Sequence, residues 1–311
     1  MARDSVVVVG SGMMGPGISA MSALAGNRTI LVGRSLEKAG RGVKNGLGNL
    51  QELVDCGLAD PAAARKAEGL LFPGMDLEAA LGQAKLVIET INENLSDKQD
   101  LFEKMDALLP ADIPILSNTS GLRITDIAAR VKHPERTVTT HFWFPAHLVP
   151  LVEVVIGDKT DEAVAVSVRD MLLGWGKAPI IVKKDLPGQL ANRILQAIVR
   201  EAVNIVAMGL ASPEDVDTAV KMGMGIRFPA WGPLEHIDAV GLDLAAAVQT
   251  TVLPSINGSD QPNPYLLDLV KSGNLGFKTG KGFYDWSVKD MAELVKNRNA
   301  FIVHALKKIK K

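Results

Sequence analysis

Between residue 5 and about residue 186, short apolar runs alternate with stretches long enough for helices. Strands are predicted at Val6–Val9, Thr29–Val32, Leu86–Thr90, Ile113–Ser117, Thr137–Thr140, Val152–Ile156 and Ala178–Val182. The segments Leu95–Leu109 and Asp161–Trp175 between them have helical periodicity and length. Such alternation predicts an α/β fold with a doubly wound, mostly parallel sheet. Parallel neighbours need crossover connections, and helices in those connections cover both faces.

The pattern changes after Lys183-Lys184-Asp185-Leu186-Pro187-Gly188. Residues 189–210 read as one long apolar helix, with Leu190, Ile194, Ile198, Ala202 and Val206 at four-residue spacing. Ala211-Ser212-Pro213-Glu214-Asp215 reads as the start of another, with Ser212 as N-cap and Pro213 in the first helical position. Little beyond it resembles a strand. The expected division is a sheet domain at residues 1–186 and an all-α domain at residues 187–311, whose lysine-rich end, Lys307 to Lys311, reads as a solvated helix terminus.

Charge and cysteine content narrow the class. Lys and Arg number 34 against 35 Asp and Glu, so no global field recruits nucleic acid or an anionic membrane. No run reaches the roughly 20 apolar residues a membrane span needs. Four valines before Gly10 are too few for a signal-peptide core. A single cysteine, Cys56, excludes an internal disulfide and suits a reducing compartment, so the expected location is cytoplasmic. Histidines with metal-ligand spacing are absent from the sequence, and no metal is expected.

The chemistry starts at Gly10-Ser11-Gly12-Met13-Met14-Gly15. This G-x-G-x-x-G run follows a valine strand and opens a helix, the context in which a dinucleotide pyrophosphate sits on a helix N-terminus. A Rossmann-type domain is expected, with Gly10, Gly12, Met13, Met14 and Gly15 against the cofactor. The second strand ends in Gly33-Arg34-Ser35, where an NAD enzyme carries an acid for the ribose 2′-hydroxyl. Arg34 and Ser35, with Lys38 and Arg41 one and two turns on, suit a 2′-phosphate instead. NADP is favoured, with NAD as the alternative.

Further segments complete a pattern: Glu89-Thr90-Ile91-Asn92-Glu93-Asn94-Leu95, Ser117-Asn118-Thr119-Ser120-Gly121-Leu122, His141-Phe142, Leu151-Val152-Glu153-Val154-Val155, and Asp185-Leu186-Pro187-Gly188 followed by Asn192-Arg193. With the glycine loop they resemble the 3-hydroxyacyl-CoA dehydrogenase family in order and spacing. The likeness runs on through Gly232-Pro233 and Lys278-Thr279-Gly280-Lys281-Gly282-Phe283-Tyr284. The resemblance implies an active site of Ser120, His141, Glu153 and Asn192, with Glu93 and Lys98 beside the nicotinamide ribose. It also implies a homodimer formed through the helical domain.

The residue types fit that chemistry. Oxidising a secondary alcohol needs a base for the hydroxyl proton while hydride leaves, and histidine titrates in the right range. Glu153, on the next strand, is expected to bond the other ring nitrogen and favour the imidazolium. Ser120 and Asn192 offer donors to the reacting oxygen.

Two departures bear on substrate. Relatives acting on CoA esters carry a lysine-rich helix after the second strand and an asparagine before the proline that follows the histidine. Here Gly46–Cys56 lacks basic residues, and the second motif reads His141-Phe142-Trp143-Phe144-Pro145, so Trp143 and Phe144 are expected to line an aromatic pocket. Arg227, before Gly232-Pro233, resembles an arginine of the L-gulonate and carnitine dehydrogenase branch and suits a free carboxylate. The expected substrate is a small 3-hydroxy or 3-oxo carboxylate, or a related hydroxy compound. A 3-hydroxyacyl-CoA is the alternative, and a non-catalytic, crystallin-like protein is the rival of another class.

Overall fold

The computed structural model describes residues 3–309, so Lys310 and Lys311 of the lysine-rich end lie outside the described residues. The chain divides into two compact units between Asn192 and Arg193. Residues 187–192, assigned from the sequence to the second domain, group with the first unit.

The first unit is built on eight strands: β1 (Ser5–Val9), β2 (Thr29–Val32), β3 (Leu71–Gly74), β4 (Ala84–Glu89), β5 (Ile115–Ser117), β6 (Thr137–Phe142), β7 (Leu151–Val155) and β8 (Ala178–Val182). Their order in the sheet is β3-β2-β1-β4-β5-β6-β7-β8. Strands β1 to β6 run parallel, β7 is antiparallel to β6, and β8 is parallel to β7. Every residue of β1 is buried, as both-sided cover requires. On one face Val7 and Val9 pack with Val87, Ile115, Phe102 and Met105. Elsewhere Ala20, Ala23, Leu50, Ala67 and Leu71 gather the helices Gly15–Leu24, Leu36–Asp55 and Pro61–Glu68 around β3.

The seven expected strands are all present, Thr29–Val32 and Ala178–Val182 with the expected ends and the other five with shifted ones, and β3 is an eighth. It is an edge strand, four residues of which one is Pro73. Proline cannot donate to a ladder and is confined to edges, so this segment carries no ordinary strand signal. Strand order reverses between β1 and β4, which opens a crevice at their carboxyl ends, and the glycine loop leaves β1 there.

The second unit is helical, with Pro213–Ala219, Pro233–Val240, Leu242–Val252, Pro264–Lys271 and Met291–Ile309; the helix Ala191–Ala207 enters it from the first. Ser212 caps Pro213–Ala219 as expected, its Oγ accepting from Asp215 N at 3.1 Å. Among the described residues of this unit the only buried hydrophobic side chains are Val203, Val216, Val303 and Leu306, and none of them is fully buried. Along the apolar stripe of Ala191–Ala207, Ile194 is half-exposed while Ile198, Ala202 and Val206 are partly buried, and the one buried residue of the helix is Val203, off that spacing. Among the described residues no single helix is long and apolar enough to cross a membrane.

Candidate active site

The glycine loop owes its shape to close packing. Gly10 has φ 123°, and a Cβ there would stand 2.6 Å from Thr90 O. A Cβ on Gly15 would collide with Gly10 O, whereas one on Gly12 would meet nothing within 4 Å. Space in front of Gly12 is therefore open for a pyrophosphate. The helix Gly15–Leu24 begins at Met14 without a side-chain cap, leaving its first amides to a ligand. Met13 is exposed beside them.

The loop forms one end of a cleft of about 640 Å³ whose lining includes Gly10, Gly12, Arg34, Lys38, Arg41 and Asn92. No carboxylate lines it. Ser35 has a local task as well: its Oγ caps Leu36–Asp55 by accepting from Lys38 N at 3.2 Å. Arg41 shares its charge with exposed Glu37 at 3.8 Å. The cleft thus carries three cations beyond the end of β2, and the glycine loop fits a diphosphate.

At the end of β4 stands a group whose role the sequence did not reveal. Glu89 is fully buried and accepts from Lys98 Nζ at 2.6 Å, Ser117 Oγ at 2.7 Å and Ile91 N at 2.6 Å. Burial pushes its carboxyl up, against the opposing pull of Lys98 and the hydrogen bonds. Lys98 Nζ also lies 3.5 Å from Glu93 Oε2. Glu93 Oε1 in turn accepts from Thr119 Oγ1 at 2.5 Å, Ser120 N at 3.0 Å and Gly121 N at 2.9 Å. Burial raises Glu93, but those bonds and Lys98 outweigh it and hold its carboxyl below the usual value. A chain of charge thus runs from the sheet to the Ser120 backbone. The available signal was one carboxylate closing the otherwise apolar run Leu86-Val87-Ile88.

The Ser120 loop is anchored at its far end too. Buried Asp185 Oδ2 accepts from Thr125 N at 2.8 Å and Thr125 Oγ1 at 2.6 Å, while Arg123 Nε donates to Asp185 O. Asn192 Nδ2 lies 3.5 Å from Ser120 O, which brings those two candidates together.

His141 and Glu153 are register partners across β6 and β7. His141 Nδ1 and Glu153 Oε2 are 2.8 Å apart, both side chains buried. Trp143 Nε1 donates to the same oxygen at 3.1 Å. Glu153 Oε1 accepts from Leu190 N and Ala191 N, each at 2.8 Å. Those two amides converge because Gly188 and Gln189 are consecutively left-handed, φ 80° and 49°. Burial raises Glu153, but bonds from His141, Ala191, Leu190 and Trp143 prevail and bring its carboxyl down to about 2. Asn118 Oδ1 accepts from Phe142 N at 2.8 Å, fixing β6 beside the pair. Phe144 is half-exposed.

Of the other histidines, His147 is buried and its Nε2 pairs with Glu52 Oε2 at 2.9 Å; burial, opposed by Glu52, holds it below its usual value. Arg227 belongs to the second unit. It follows the π-helical turn Val220–Gly225, is exposed, and its Nε donates to Gly223 O.

Residues 5–186 match the family described as 3-hydroxyacyl-CoA dehydrogenase, NAD binding domain, and residues 188–286 its C-terminal domain. The chain is 33% identical to the 5-formyl-3-hydroxy-2-methylpyridine 4-carboxylate 5-dehydrogenase of Mesorhizobium japonicum, over 94% of each chain. It is 34% identical to a probable 3-hydroxybutyryl-CoA dehydrogenase of Bacillus subtilis, covering 93% of this chain and 99% of that one. Among solved structures it resembles a 5-formyl-3-hydroxy-2-methylpyridine 4-carboxylic acid 5-dehydrogenase described as an NAD+ dependent dismutase. That match has TM-score 0.92 and 32% identity, over 100% of this chain and 99% of that one.

Proposed function

Because this chain belongs to the 3-hydroxyacyl-CoA dehydrogenase family, we propose that it moves hydride between a nicotinamide dinucleotide and the carbinol carbon of a small free hydroxy acid. It is a dehydrogenase built on an NAD-binding domain. The observation that carries the finer reading is the buried His141–Glu153 pair, in the same unit as the glycine loop.

The bound dinucleotide supplies the hydride acceptor. In the oxidising direction His141 Nε2 takes the hydroxyl proton, while Glu153 holds Nδ1–H and so fixes the tautomer that leaves Nε2 a lone pair. Ser120 and Asn192 donate to the reacting oxygen. In reduction the imidazolium returns the proton. Glu93 reaches the nicotinamide ribose, buried Lys98 holds Glu93 from behind rather than touching the ribose itself, and the glycine loop holds the diphosphate.

A free acid is favoured over a CoA thioester on three grounds. Gly46–Cys56 offers no cation to the phosphates of CoA, Arg227 suits a carboxylate, and half-exposed Phe144 suits a ring. The pyridine carboxylate in the names of the Mesorhizobium relative and the structural neighbour agrees with this. The same likeness favours a second substrate form, an aromatic aldehyde whose hydrate presents a carbinol to the same base. At the adenosine end, Arg34, Lys38 and Arg41 in a cleft without carboxylates favour NADP over NAD.

The second unit buries four hydrophobic side chains and exposes Leu234, Leu242, Leu244 and Val248 by half or more. A homodimer that covers this face supplies the missing core, and light scattering on the purified chain checks it. The function is tested by turnover with both cofactors against free 3-hydroxy acids, ring-bearing hydroxymethyl and formyl carboxylates, and acetoacetyl-CoA. A free acid is turned over, and Arg227→Ala raises its KM about tenfold. Efficient acetoacetyl-CoA reduction overturns the substrate class.

A further inference from the structure

Trp143 does something other than line a pocket. Its indole N–H and the His141 ring end on one oxygen, Glu153 Oε2, at 3.1 and 2.8 Å. The rings are 5.5 Å apart and tilted by 53°, so neither stacks flat on the other. The other carboxylate oxygen is taken by Leu190 N and Ala191 N. A carboxylate has about four lone-pair positions. All four are filled, so Glu153 has no free direction in which to turn.

We propose that Trp143 is a positioning residue of the acid–base pair: by sharing Glu153 Oε2 with His141 it fixes the carboxylate and limits how strongly the carboxylate holds the imidazolium. This rests on the reading of His141 as general acid and base. Two donors on one oxygen divide its charge, and the indole takes a share that would otherwise strengthen the bond to His141. Two other ionisable groups on nearby segments are engaged elsewhere. Lys177 Nζ donates to Ala146 O and Val149 O, and His147 pairs with Glu52.

The sign follows. Without the indole N–H, Glu153 binds the imidazolium more tightly, and His141 keeps its proton to higher pH. Oxidation needs the free base and reduction needs the imidazolium, so both pH–rate limbs move upward together. A pocket wall would change KM and leave the limbs in place.

The test is Trp143→Phe, which keeps an aromatic ring and removes the donor, beside a variant carrying benzothienylalanine at 143, which keeps the bicyclic volume without N–H. The His141 ring proton is titrated by NMR in each, alongside pH–rate profiles. The expected result is an upward move of about 0.5 pH unit in both variants, by both readouts, with cofactor KM unchanged. A benzothienylalanine protein titrating with the wild type overturns the proposal, even if the phenylalanine variant misfolds. The NMR titration needs no turnover, so failure of the substrate reading leaves this result interpretable.

Discussion

His141 and Glu153 stand directly opposite one another on β6 and β7, with Nδ1 and Oε2 2.8 Å apart. The contact is a property of strand pairing and needs no loop to bring it about. His141→Ala is expected to lower kcat by about a thousandfold, and Glu153→Gln by about a hundredfold. Binding of the reduced dinucleotide, followed by fluorescence, should change little in either. A His141→Ala enzyme within tenfold of wild type on its true substrate would remove His141 from the chemistry.

Glu153 also links activity to acid stability. Its carboxyl sits at about 2 against an ordinary 4.5, because four hydrogen bonds outweigh the burial that alone would raise it. A carboxylate depressed in the fold stabilises it above the unfolded value, and that contribution disappears as pH falls from 4.5 through about 2. The wild type should lose on the order of 2 kcal/mol relative to Glu153→Gln across that window, with parallel behaviour above it. Urea midpoints measured at a series of pH values decide this, and curves parallel throughout would contradict it.

Arg34 is expected to select the cofactor. Arg34→Asp places a carboxylate where a 2′-phosphate would lie, so kcat/KM for NADP should fall about thirtyfold while that for NAD holds or rises. An unchanged ratio of the two specificity constants would take Arg34 out of the site.

Lys98 and Glu89 form a fully buried pair at 2.6 Å. Removing one partner strands the other charge, so Glu89→Met or Lys98→Met alone should cost about 3 to 5 kcal/mol, and the double variant distinctly less than the sum. A denaturant double-mutant cycle measures the coupling. Strict additivity would mean that the pair is held by its surroundings rather than by mutual attraction.

Much of the first unit was legible in the chain. Val6–Val9 ahead of the glycine loop could be little but a buried parallel strand, and His141, Glu153, Ser120 and Asn192 stood in a spaced order. What escaped notice depends on partners distant in sequence. The Glu89–Lys98 pair spans nine residues and is made by a strand end meeting a helix. Trp143 read as a pocket wall because its hydrogen bond exists only once β7 turns antiparallel. Gln189 gave no hint of its left-handed backbone, which the neighbouring glycine and the Glu153 oxygen impose together. In the second unit the four-residue spacing of Ala191–Ala207 was visible, but not that the one buried residue would be Val203, off that spacing.

The eight residues between β6 and β7 have a consequence for how such an enzyme changes over time. The proton-handling pair lies on the strands, and everything from Phe144 to Pro150 lies on the connection. A slip of one position within either strand would send His141 and Glu153 to opposite faces of the sheet and silence the enzyme, whereas the connection beyond Trp143 can lengthen, shorten or change its side chains and leave the strand register as it is. Reaction type and substrate choice are therefore written on separate stretches of the chain, and a lineage can keep the first while trading the second.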